Sequence, residues 1–126
     1  MNKSHQTPAV YFNGENPADL KMIQQLESAK VVFRHIDLSR CKCCKEVFTD
    51  LVTAIGQDAQ NVVSKASTFY PNFLHRFEQL DAPTDAWYAE MFTYYPSLLK
   101  SPLVLVEGQV HLVADSEDLN RLLPLN

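Results

Sequence analysis

Two short apolar runs, AVYFN at 9–13 and VVFRHID at 31–37, stand either side of one amphipathic helical stretch, and that spacing constrains the fold more than any other feature of the chain. Short runs rich in β-branched and aromatic residues read as buried strands. Between them, Asn13-Gly14 supplies turn chemistry, and Asn16 before Pro17 pairs an N-cap with a first helical residue. Asp19 falls in the first turn, where negative charge is favoured, and Leu20, Ile23, Leu26 and Ala29 keep one face apolar. Strand, helix and strand in so short a span form a βαβ unit. Its strands are expected to run parallel with a right-handed crossover.

The middle of the chain is helical. Val47, Phe48, Leu51, Val52 and Ile55 form an amphipathic pattern stopped by Gly56. Asp58 is expected to cap a short helix carrying Val62 and Val63, and Phe73, Leu74, Phe77 and Leu80 mark another, broken at Ala82-Pro83. Thr84 caps a helix through Trp87, Tyr88, Met91, Phe92 and Tyr95, closed by Pro96. Its aromatic face reads first as core and second as a docking surface. After Pro102, two apolar runs, Leu103–Val106 and Gln109–Val113, flank Glu107-Gly108 and read as an antiparallel hairpin. Asp115 or Ser116 then caps a last helix with Leu119, Leu122 and Leu123, stopped by Pro124. The expected architecture is α/β, with 1–8 as a flexible leader and 9–126 as a single domain.

Charge and composition exclude several classes. A formal charge of −4 gives no long-range attraction to phosphate, so nucleic acid is not expected as a direct partner. No apolar run is long enough to span a bilayer, and MNKSHQTPAV holds no segment of signal-peptide length. With 3 glycines in the chain a phosphate-binding glycine loop is excluded. Cytoplasmic location and no cofactor are the expectations.

A βαβ unit followed by a ββα unit is the thioredoxin/glutaredoxin plan. The helical block between the halves, and WYAEMFTYYPSLLKSPLVLVEGQVHLVADSEDLNRLL after it, make the chain resemble the arsenate reductase (ArsC)/Spx family. The resemblance implies a thioredoxin-like three-layer sandwich with a four-stranded mixed sheet in the order 2-1-3-4 and a helical insertion between strands 2 and 3. It also implies that Pro102 is the cis-proline facing the active-site loop.

The family's chemistry does not carry over with the fold. Where the family holds a nucleophilic cysteine, this chain has the shorter loop Gly14-Glu15-Asn16-Pro17. Glu15 lies near the expected oxyanion position. Ser101 replaces the arginine before the cis-proline, and Ala114 replaces a second arginine after strand four. Arsenate reduction is therefore not expected.

Cys41-Lys42-Cys43-Cys44 follows strand two, with Arg40 and Lys45 beside it. Placed near a helix N-terminus among basic residues, one of these thiols would have a lowered pKa. Three readings stand: a polar turn that happens to hold cysteines, a redox thiol site, or a metal site with His35 as a fourth ligand. Against the last two, the vicinal Cys43-Cys44 pair closes only a strained ring, and no second metal-binding pair is present. His35 and His111 on strands, and His75 on a helix, read as structural or solvated. The leading functional expectation is a non-catalytic arsenate reductase/Spx-like pseudoenzyme that acts as a protein-interaction or regulatory module with a protein partner. The alternative is a thiol-disulfide oxidoreductase or redox/metal sensor using Cys41, Cys43 and Cys44.

Overall fold

The computed structural model describes residues 7–40, 45–113 and 115–123. The chain divides into two compact units, one built from residues 1–40 and 101–126 and the other from 41–100.

In the first unit, strands β1 (Ala9–Phe12), β2 (Arg34–Asp37), β3 (Leu103–Val106) and β4 (Gln109–Leu112) form one sheet in the order β2-β1-β3-β4. β1 and β2 are parallel, with Phe12 beside Asp37, while β1–β3 and β3–β4 are antiparallel. This is the mixed sheet that the resemblance implies. Side chains alternate along a strand, so Val10 and Phe12 share one face. On that face they join Ile23 and Leu26 of α1 (Pro17–Ser28), Val104, and Leu119 of α5 (Ser116–Leu122) in a buried cluster. Asn16 caps α1 by accepting from the Ala18 N–H, and Asp115 caps α5 by accepting from the Asp118 N–H at 3.0 Å. Of the two expected caps for that last helix, Asp115 is the one used.

β2 is shorter than the apolar run VVFRHID. The Val31 N–H donates back to the Leu26 carbonyl at 3.1 Å and the Lys30 N–H to the Glu27 carbonyl at 3.0 Å. With Lys30 at φ 61°, this is the two-bond Schellman closure of α1, so Val31 belongs to the helix stop and Val32 is left 77% exposed. β4 likewise ends at Leu112, one residue short of its apolar run. The hairpin between β3 and β4 turns on Glu107 at φ 51° and Gly108 at φ 80°, both positive as the tightest hairpin turns require.

In the second unit, α2 (Lys45–Ile55) ends where Gly56 takes φ 71°. The expected Asp58-capped helix is instead a 3-10 run, Gly56–Val62, that continues directly from α2. Then come α3 (Tyr70–Glu78), α4 (Asp85–Tyr94) and a 3-10 turn, Pro96–Leu98. Thr84 caps α4 by accepting from the Trp87 N–H at 3.1 Å. α2 packs on α4, burying Phe48, Leu51 and Val52 from one and Ala89, Met91 and Phe92 from the other. Phe73, only 3% exposed, is ringed by Tyr70, Phe77, Trp87 and Tyr88 at centroid distances of 5.3–6.4 Å. The aromatic face of α4 is thus largely core.

Candidate functional site

Because β1 and β2 are parallel, their C-terminal ends lie on one edge of the sheet. The chain leaves β1 there through Asn13–Asn16 and enters α1 at Pro17. A helix start of this kind offers unpaired N–H groups to a bound anion. Here those of Ala18 and Leu20, and those of the loop before them, are taken. Asn13 N–H donates to Asp19 Oδ2, Gly14 N–H to Asp37 Oδ1, and Glu15 N–H to Asn13 Oδ1, each at 2.9 Å. Asn16 N–H donates to the Asn13 carbonyl at 3.0 Å and Ala18 N–H to Asn16 Oδ1 at 2.9 Å. Pro17 has no N–H to give.

Two carboxylates brace this loop. Asp19, 2% exposed, is the buried charged side chain among the described residues. Asp37, at the end of β2, also accepts from Ser39 Oγ at 2.6 Å and Ser39 N–H at 3.0 Å, and its Oδ2 lies 3.5 Å from Arg40 Nε. Burial by itself would raise the Asp37 pKa. The Ser39 hydroxyl, the Gly14 and Ser39 N–H groups and the Arg40 charge outweigh it and hold the carboxyl below the usual aspartate value. A Cβ at Gly14 would overlap the Asp37 carboxylate, which would have to shift away.

The Ser101–Pro102 peptide bond is cis, the isomer that the resemblance implies. Pro102 is buried, and its carbonyl accepts from the Val113 N–H at 3.1 Å. Leu103, the next residue, pairs with Tyr11, so Ser101 and Pro102 reach the same sheet edge as the Asn13–Asn16 loop. The structure therefore gathers Glu15, Asn16, Ser101 and Pro102 at one edge. It does not bring His35 into that set: His35 stacks on Phe33 at 4.1 Å, and its Nε2 lies 3.7 Å from Glu27 Oε2. Among the described residues no three His, Cys, Asp or Glu side chains cluster as metal ligands would. Cys41, Cys43 and Cys44 lie outside the described residues, as does Ala114.

Sequence reasoning names Asp19 as a dipole partner and Asp37 as a strand end, and misses both as braces of the loop. Asp37-Leu38-Ser39 carries a local signal, since an aspartate commonly bonds the backbone two residues on. The Gly14–Asp37 approach has no such signal.

A parallel strand pair, an antiparallel hairpin, a cis-proline before β3 and a helical segment between the halves make this a thioredoxin-like fold of the arsenate reductase type. An arsenate reductase from Vibrio cholerae shares it at a TM-score of 0.72 and 16% identity, over 93% of this chain and 98% of that one. The YFFB protein shares it at 0.68 and 20% identity, over 93% and 99%. An arsenate reductase (ArsC) related protein from Brucella melitensis does so at 0.64 and 14% identity, over 93% and 94%. At these identities the likeness is one of fold. No family model and no curated protein sequence matches the chain. Among the described residues no helix is long and apolar enough to cross a membrane.

Proposed function

We propose that this chain is a non-catalytic protein of arsenate reductase-like fold, a protein-interaction or regulatory module rather than a reductase. The observation that carries the reading is the loop after β1. The N–H groups of Asn13 through Asn16 and of Ala18 are bonded inside the protein, two of them to carboxylates. An incoming oxyanion would meet Asp37 and Glu15 instead of free donors, and no cysteine stands in Gly14-Glu15-Asn16-Pro17 to attack it.

The test is arsenate turnover with glutathione and glutaredoxin, run beside an NMR titration of the loop amides with arsenate. Neither turnover nor shifts at Asn13–Ala18 is expected. Turnover that disappears when Cys41, Cys43 and Cys44 are changed to Ser would replace this reading with the thiol enzyme. Alkylation gives a second check on those cysteines: one fast thiol and two slow ones mark a lowered pKa at Cys43 or Cys44, and three equally slow ones mark an inert turn. A partner recovered equally by the native chain and by the triple Ser variant supports the module.

A further inference from the structure

The second unit carries a groove of about 330 Å³ beside α3, in the size range of small-ligand sites. Its apolar wall is Tyr70, Phe73, Leu74 and Phe77, with Leu74 still 38% exposed. Two cations, Lys65 and Lys100, stand on its lining, and among the described residues no carboxylate does. They come from distant parts of the sequence and line one groove beside a local backbone clasp. Val63 and Leu99 form an isolated antiparallel bridge, with the Ser64 N–H on the Leu98 carbonyl at 2.6 Å and the Lys100 N–H on the Val62 carbonyl at 2.8 Å.

Neither lysine has an ion-pair partner among the described residues. The ion pairs of the described residues are His35–Glu27, Arg40–Asp37 and Arg121–Asp118, and none involves Lys65 or Lys100. On a chain of formal charge −4, this groove places two cations and no described carboxylate against an aromatic wall. An occupant that complements the groove has an apolar body to lie on Leu74 and Phe77 and a negative group to meet the lysines. The amides of Gln60 and Asn61, also on the lining, can bond a carboxylate oxygen left over.

We propose that this groove binds a small organic anion with an apolar body, such as a medium-chain or arylalkyl carboxylate. The site is independent of the β1–α1 loop and does not rest on the functional reading above.

The probe pair is octanoate and 1-octanol, which share a chain and differ in charge, each titrated into the 15N-labelled full chain and followed by amide shifts. Octanoate should move amides of Val63–Phe77 and Lys100 and bind at least tenfold tighter than octanol, a difference of about 1.4 kcal/mol. In the Lys65→Gln/Lys100→Gln double variant, whose own spectrum reports that the fold is intact, octanoate should fall to the affinity of octanol. Equal affinities in the native chain, an unchanged preference in the double variant, or shifts centred on other residues would each overturn the proposal. So would an acidic peptide containing phenylalanine that saturates the same amides far more tightly than octanoate, since the groove would then hold a protein segment.

Discussion

The β1–α1 loop and the α3 groove use polar groups in opposite ways. In the loop, donors and acceptors close on one another: Asp19 and Asp37 hold the N–H groups of Asn13 and Gly14, and Asn16 caps its own helix. In the groove, Lys65 and Lys100 face an aromatic wall with no ion-pair partner among the described residues. The N–H groups of the β1–α1 loop are thus bonded within the protein. The groove with two cations and no described carboxylate on its lining lies in the helical unit. Similarity of fold does not transfer chemistry, because the chemistry belongs to particular side chains.

Substitutions can break this contrast. The largest effect is expected in the helical unit, where Phe73→Ala removes a ring in contact with four others and should cost about 3–5 kcal/mol in urea unfolding. Gly14→Ala should cost about 1–3 kcal/mol, because the new methyl displaces the Asp37 carboxylate from its donors. If both variants proved neutral, neither region would be holding structure in the way described.

Asp37 adds a pH dependence that separates the two regions. Its folded pKa is depressed, so it stabilises the protein fully above the unfolded aspartate value of about 3.9 and less as pH falls through the lower folded value. Unfolding measured from pH 6 downward should show this loss in the native chain. In Asp37→Asn the same descent should be shallower. An equal slope in both would remove Asp37 as the charged brace.

Smaller effects sharpen the picture. Asn16→Ala in one unit and Thr84→Ala in the other each remove a helix cap and should each cost about 1 kcal/mol. Lys30→Gly goes the other way: glycine takes the φ of 61° without a Cβ penalty, and a gain of about 0.5–1 kcal/mol is expected in thermal or urea unfolding. Destabilisation would mean that the Lys30 side chain contributes something the backbone does not reveal.

What the sequence discloses follows the range of the interactions involved. Asn16-Pro17, Thr84 and Gly56 act within a turn or two of themselves, and each marks its helix boundary correctly. The strand run 31–37 overreaches because hydrophobicity cannot distinguish Val31 in a helix stop from Val31 in a strand, and the bond to Leu26 decides it. The short helix expected from Asp58 starts earlier, because the 3-10 run begins at Gly56, where α2 ends. At the candidate site, the sheet edge and Pro102 are readable from pattern and resemblance. The bonding of Gly14 to Asp37 and the placing of Lys65 and Lys100 on one groove involve residues far apart in the chain, and nothing local announces them.

The order of strands sets a timetable for the growing chain. β1 is central and pairs with β3, yet residues 41–100 must be made between them. The helical unit is one continuous stretch, so its contacts can form as it emerges. The sheet, by contrast, has only its β1–β2 pair until Leu103 onward is available. Long-range strand pairing is slow to form, and unfinished strands are open to wrong partners. During synthesis the apolar edge of β1 therefore waits longest for its partner, and a ribosome stalled before β3 would release a chain with that edge bare.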